Sequence, residues 1–250
     1  MKKYLAITAA FIIFILAWQL LAMLVQKPFL PEPGLVAAVL LKLAAQGELW
    51  PHLAASLSRI LWALLVSTIP AAAMGLASGR SPRFNNIISP VIYLLHPLPK
   101  AAFLPVIMLF FGYGEVSKIF LVAFIIFSQI LVNLRDAAKQ VPSELIDSVR
   151  SLGADKAGVL RHVVIPSVLP AFFTGLRISL GTAVAVLFLA ETFAAQSGLG
   201  YLIMDAWTRI AYPQMYAAIL SLSILGLFLF ILTDFIETLL CPWLGRQSND

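Results

Sequence analysis

Asp234 and Glu237 stand three residues apart, a spacing that puts two carboxylates on one face of a helix. Paired carboxylates can carry acid–base catalysis. Here they close a long apolar run, and the better reading is a polar face where a helix meets the membrane surface. Lys100, Arg177 and Glu191 also fall within or at the ends of apolar runs, and His96 sits beside a proline cluster. Ionisable groups at membrane depth are costly, so each is a candidate functional site. Lys100 and His96 are open to two readings, lining a polar pathway or packing at the interface with the charged end snorkelling to water. Arg177 is expected in a structural ion pair with Glu191 or another acid. His52, His96 and His162 are too scattered for metal ligands. Ser197-Gly198-Leu199-Gly200 is too short to cradle a phosphate, and no G-x-x-x-x-G-K-S/T occurs. No nucleophile elbow occurs either. The chain is therefore expected to hold no catalytic site, no metal and no cofactor of its own.

The elements that position these residues follow from composition. The 250 residues are 61% hydrophobic and 12% charged, with a mean hydropathy of +0.95. Soluble domains lie nearer half apolar and about a quarter charged. Lipid is thus the solvent for most of this chain. One cysteine, Cys241, excludes an intrachain disulfide. The opening Met1-Lys2-Lys3 and apolar Leu5–Val25 exceed a signal-peptide core of about 7–15 residues, so a retained first span is expected.

Six apolar stretches stand out, at Leu5–Val25, Leu53–Ser78, Ile87–Phe111, Val116–Leu134, Ser167–Ala190 and Met215–Leu240. The third is interrupted by Pro90, Pro97, Pro99 and Pro105. Each proline removes a helical hydrogen bond. Freed carbonyls are tolerated in lipid only where protein or water covers them, so this stretch is expected inside the bundle, against a pore or as a kinked packing helix.

With the N-terminus inside, the cytoplasmic parts hold Lys2, Lys3, Arg80, Arg83, Arg135, Lys139, Arg150, Lys156, Arg161 and Arg246. The outer parts hold only Lys27, Lys42, Lys118 and Arg209. That bias predicts both termini in the cytoplasm. It also accounts for the net charge of +5 without nucleic acid. The expected organisation is a first span and outer connection with a surface helix at 1–52, a membrane core at 53–243 and a short tail at 244–250.

The connection at 135–166 is the most informative segment. Pro142 and Ser143 predict a helix start with Ser143 as N-cap. Glu144 and Asp147 place negative charge near its positive end. Leu145, Val149 and Leu152 make one apolar stripe, and Gly153 follows where a left-handed residue closes a helix. A second short helix is expected over 155–164, ending before Pro166. Such a pair suits either a lipid surface or a groove on a partner protein.

Here a resemblance decides. Asp147-Ser148-Val149, Gly153 and Val163-Val164-Ile165-Pro166 resemble the EAA loop of ATP-binding cassette (ABC) importer permeases, with Asp in place of Glu and Ser-Val in place of Ala-Ala. Pro97-Leu98-Pro99, Ala102, Pro105, Phe111-Gly112-Tyr113-Gly114-Glu115 and Lys118 resemble the nitrate/sulfonate/taurine branch. So do Gly175-Leu176-Arg177, Ala190-Glu191 and Gly198-Leu199-Gly200, all in the expected order.

The resemblance implies an all-α, type I importer permease of the bacterial inner membrane, with about six spans. It implies a homodimer that works with two ATPase subunits, which bind ATP and Mg, and with an extracytoplasmic binding protein. Glu144, Leu145, Asp147, Ser148, Val149, Leu152 and Gly153 would dock the ATPase. His96, Pro97, Pro99, Lys100, Pro105, Arg177 and Glu191 are the pore or gating candidates. The implied solute is a small anion such as a sulfonate, taurine or nitrate. A vitamin precursor is the alternative, and a secondary transporter a more distant one.

Overall fold

The computed structural model describes residues 2–95, 97–193 and 195–243, with side chains described at 9–10 and from 12 onward. Helices dominate, and among the described residues there is no strand. The order is α1 (Lys2–Val25), α2 (Pro33–Ala45), α3 (Leu49–Arg80), α4 (Pro82–Leu95), a 3₁₀ turn at Lys100–Phe103 and α5 (Leu104–Phe111). There follow α6 (Glu115–Lys139), α7 (Ser143–Ser151), α8 (Lys156–Val159), a π turn at Leu160–Val164, α9 (Ile165–Thr192), α10 (Leu199–Thr208) and α11 (Tyr212–Leu240).

Among the described residues, four helices are long and apolar enough to cross a bilayer: α3, α6, the continuous Lys156–Thr192 and α11. Pro82–Leu95 and Lys100–Phe111 are apolar enough only as a pair, bent by 81°, which is the geometry of a broken span or a re-entrant loop. The expected first span falls in α1, where the described apolar part is Ile12–Val25. The start of that helix lies outside the described side chains.

The bend between α4 and α5 has a local cause. A residue before proline avoids helical backbone angles, and Pro97 and Pro99 stand two and four residues beyond the end of α4. Pro105 sits in the first turn of α5, where no helical N–H is lost. Within the chain this stretch is covered on one side: Leu104, Ile107 and Met108 of α5 are buried, and Ile88 and Ile92 of α4 are partly buried against the core. α4 buries none of its residues. Leu109 and Phe110 of α5 are 82% and 81% exposed.

The chain forms two compact units. One comprises Met1–Ser56 with Glu191–Ile224. In it the Trp18 indole N–H donates to the Pro31 carbonyl at 3.1 Å. Trp18 also packs on Tyr216, with ring centroids 5.7 Å apart.

The other comprises Leu57–Ala190 with Leu225–Asp250. Its organising contact is the crossing of α3 and α6. Ala71, Gly75 and Gly79 recur every fourth residue on α3. A Cβ at Gly75 would meet the Leu131 carbonyl and Leu134 Cβ at 2.9 Å. One at Gly79 would meet Ala138 Cβ at 2.5 Å and the Arg135 carbonyl at 2.6 Å. Small residues let two backbones approach where lipid offers no hydrophobic drive for association. A core of Ile130, Leu134, Ala138, Ile146, Val163 and Val168 then ties α6 to α7 and α9.

The second cytoplasmic helix does not end before Pro166. It runs on as one 37-residue helix to Thr192. The wide turn at Leu160–Val164, closed by the Ile165 N–H on the Leu160 carbonyl, makes room for the proline ring.

Candidate functional site

The cytoplasmic loop folds into a short, well-terminated helix. Pro142 is the N-cap of α7, with extended backbone (ψ 136°), so Ser143 is the first helical residue and not the expected cap. Glu144 lies in the first turn, where the dipole favours a carboxylate. Ser148 Oγ donates to the Glu144 carbonyl at 2.7 Å. Asp147 lies 3.8 Å from Arg150.

Gly153 has φ +90°. Its N–H donates to the Arg150 carbonyl at 2.9 Å, and the Ala154 N–H donates to the Val149 carbonyl at 3.3 Å. That pair of bonds is the Schellman closure, which glycine adopts without a Cβ penalty.

The expected stripe of Leu145, Val149 and Leu152 is corrected. The buried residue is Ile146, with Val149 partly buried beside it. Leu145 is 49% exposed and Leu152 is 87% exposed. Leu152 has already left the helix as its C-cap, so the helical register no longer holds it over the core. Two leucines, Asp147 and Ser148 are thus displayed on an element whose other side is anchored.

The membrane charges are arranged as follows. Arg177 on α9 meets α11, donating from Nε to Asp234 at 2.5 Å and pairing with Glu237 through Nη2. Its partners are these two carboxylates, not Glu191. The acids near the end of the last helix are therefore counter-charges for a membrane arginine.

Glu191 is 1% exposed and closes a separate network. It accepts from Ser56 Oγ at 2.8 and 2.9 Å and from the Gly200 N–H at 2.8 Å. Ser56 Oγ accepts from the Leu199 N–H at 2.8 Å, and His52 Nδ1 from the Gly198 N–H at 3.2 Å. The N–H groups of Gly198, Leu199 and Gly200 at the start of α10 are thus satisfied, with a carboxylate at the helix's positive end.

Lys100 opens the 3₁₀ turn after the proline break and is half-buried. Pro97, Pro99 and Pro105 are exposed around it. His96 lies outside the described residues.

Two buried charges were missed by the sequence reading. Arg59 on α3 is 1% exposed and grips Glu115 with two short bonds. Lys118, counted above as an outer charge, is 2% exposed. Its ammonium donates to the carbonyls of Tyr113 and Gly114 at 2.9 and 3.1 Å. Arg59 carried the same signal as Arg177, an arginine inside an apolar stretch.

Long apolar helices, with no strand among the described residues, define the class: a helical integral membrane protein. The family model for binding-protein-dependent transport system inner membrane components matches residues 69–246. The chain belongs to that family.

It is 38% identical to the taurine transport system permease protein TauC of Escherichia coli (strain K12), covering 89% of this chain and 83% of that protein. It is 29% identical to the formylaminopyrimidine transport permease protein ThiX of Halalkalibacterium halodurans, covering 96% of each. The fold is similar to a chain of the MetNI methionine ABC transporter in its inward-facing conformation, with a TM-score of 0.61 and 21% identity over 76% of this chain and 93% of that one.

The protein is thus an inner-membrane ABC importer permease of the type I fold. It is a transport subunit and not an enzyme; ATP hydrolysis belongs to a separate ATPase, and solute capture to a binding protein.

Proposed function

We propose that this chain pairs with a second copy of itself to form the translocation path for a small anionic solute, taurine or another sulfonate, or an anion such as nitrate. The observation that carries the mechanism is the anchorage of α7. Ile146, 3% exposed, shares a core with Leu134 and Ala138 of α6 and with Val163 of the π turn that leads into α9. Force applied to the exposed Leu145, Asp147, Ser148 and Leu152 by a closing ATPase dimer would reach two membrane helices without passing through a soft loop.

Glu144, Val149 and Gly153 complete the docking surface by setting the helix dipole, the packing and the turn. Two ATPase subunits would dock on the permease pair. A closed ATPase dimer would turn the path outward, and hydrolysis would reset it inward.

The homodimer is supported by α4, which buries none of its residues and leaves Tyr93 and Leu94 81% and 68% exposed. A proline-broken span needs protein or water over its freed carbonyls. A second copy on this face supplies it. Lys100, beside Pro97, Pro99 and Pro105, is the cation placed to attract an anion at the break, with His96 next to it in sequence. Arg177 and Glu191 hold the helices around the path.

The solute class is supported by the 38% identity to the taurine permease. A second reading, a pyrimidine-type vitamin precursor, is supported by the relative that matches over 96% of both chains. Reconstitution with the cognate ATPase and binding protein in proteoliposomes tests both. The expected result is ATP-dependent uptake of 2-aminoethanesulfonate. Uptake of the uncharged pyrimidine alone overturns the anion reading, and ATP-independent uptake by the chain alone overturns the mechanism.

A further inference from the structure

A cavity of about 670 Å³ lies between α4 and α6, lined by Asn86, Ser89, Pro90, Tyr93, Val132 and Arg135 among others. On α4, Asn86, Ser89 and Tyr93 recur at spacings of three and four, which is one face of a helix. Ile88 and Ile92 turn instead to the core that holds Ile130 and Leu134 of α6. Asn86 lies in the second turn of α4, and Arg135 four residues before the end of α6. The cavity therefore sits on the cytoplasmic side of the molecule.

The Arg135 guanidinium is fixed here but not used up. Its Nε donates to Asp136 at 2.8 Å. Its two Nη groups have no partner among the described residues, and neither is buried. They carry most of the guanidinium N–H donors. The Asp136 side chain is 47% exposed and lines a different cavity, between α6 and α9. A carboxylate screened by water neutralises its partner only in part. The Nε bond thus sets the plane of the guanidinium and leaves its fork to the α4–α6 cavity.

The rest of the lining is one-sided. None of the lining residues is acidic. Asn86 adds an exposed side-chain amide, again without a partner among the described residues. Ser89 adds no donor, because its Oγ already donates to Asn85 Oδ1 at 3.0 Å. Pro90 has no N–H for the Asn86 carbonyl one turn back, and a carbonyl freed in a membrane span needs protein or water over it. A hydrated cavity with a guanidinium fork beside an amide N–H₂ fits an oxyanion.

We propose that Arg135 and Asn86 form an oxyanion site on the cytoplasmic side of the translocation path, which takes the sulfonate or comparable group of the solute before release. This rests on the proposed function and adds a second cation to it. Lys100 opens the turn beyond the far end of α4, and Arg135 stands beside the cytoplasmic end of the same helix. A second copy over α4 turns the groove toward the path and keeps bilayer lipid out of it.

The test uses the nucleotide-free complex with its ATPase in phosphatidylcholine nanodiscs, carrying Cys241→Ser, which removes the one cysteine of the permease. Tyr93→Cys leaves both proposed residues in place. It is treated with 2-sulfonatoethyl and 2-aminoethyl methanethiosulfonate. Rates are read by mass on the permease chain and normalised to those on free 2-mercaptoethanol. The expected result is an anionic preference of about tenfold, largely lost in the added variant Arg135→Gln and largely kept in Arg135→Lys. Added 2-aminoethanesulfonate, or nitrate if that is the anion imported, is expected to slow the anionic reagent. Ser89→Cys is expected to behave alike and serves if Tyr93→Cys does not assemble.

Absence of modification, equal normalised rates, or a preference that survives Arg135→Gln overturns the site. So does slowing by phosphatidylglycerol in the disc without slowing by either anion, which would assign the cavity to lipid. If sulfonate uptake fails while the Arg135-dependent preference holds and nitrate slows the reagent, the sulfonate assignment falls and the oxyanion site stands. If sulfonates are imported and the preference is absent, the site falls alone.

Discussion

Arg59 Nε lies 2.5 Å from Glu115 Oε2, and Arg59 Nη2 lies 2.6 Å from Glu115 Oε1. The guanidinium is buried, yet the carboxylate is 57% exposed on its side chain. The pair therefore joins the outer start of α6 to the body of α3 with one partner inside and one at the surface.

Glu115→Ala is expected to destabilise the permease by about 1–2 kcal/mol. That is less than the roughly 3–5 kcal/mol for breaking a fully buried pair, because solvent already screens the exposed carboxylate. Arg59→Met in the same chain should recover part of the loss, since the buried charge is gone. Melting of the purified protein in detergent measures both. A double variant less stable than Glu115→Ala would show that Arg59 stabilises by other means.

Gly153→Trp is expected to leave membrane insertion intact and to abolish co-purification with the ATPase. Gly153 has φ +90°, where a side chain costs about 1–2 kcal/mol, too little to unfold the bundle. Nothing lies within 4 Å of a Cβ built there, so the effect on the fold is local. Normal ATP-driven transport by this variant would remove the docking role from the turn. Leu145→Glu and Leu152→Glu should weaken ATPase binding in the same assay.

Gly79→Val is expected to lower the melting temperature and the yield in the membrane. Its first added carbon would sit 2.5 Å from Ala138 Cβ and 2.6 Å from a backbone carbonyl, so the helices must part. Overpacking of this kind costs about 1–3 kcal/mol. Gly34→Ala is the control, with nothing within 4 Å and a helical position where alanine is favoured. Equal behaviour of the two variants would count against a tight α3–α6 crossing.

Glu237→Gln should cost more stability than Asp234→Asn, although both acids face Arg177. The Glu237 side chain is 15% exposed and that of Asp234 is 48% exposed. The more buried carboxylate does more of the neutralising, because water screens the other. Thermal melts at low and high salt give a second check, since the Asp234 contribution should fall further as salt rises.

The apolar spans were legible in the sequence because lipid imposes a contiguous requirement: every residue of a span meets the same solvent. Local breaks were legible for the same reason, since Pro97 and Pro99 act on their own neighbours. The cytoplasmic loop was legible from Pro142 to Gly153 as a helix with a glycine stop, but which of its apolar residues is buried was not. Ile146 rather than Leu145 enters the core because α6 and the π turn arrive on that side.

Partners remained hidden wherever they are distant in sequence. Arg59 and Glu115 are 56 residues apart, Arg177 and Asp234 are 57 apart, and Ser56 and Glu191 are 135 apart. Sequence alone determined that the chain spans a membrane in helices and which segment faces the cytoplasm as a short helix. Tertiary structure decided which charge meets which, and that Asn86 and Arg135 line one cavity. Those choices depend on the rotation and crossing of helices, and helix rotation is set by packing between segments and not by the hydropathy of any one of them.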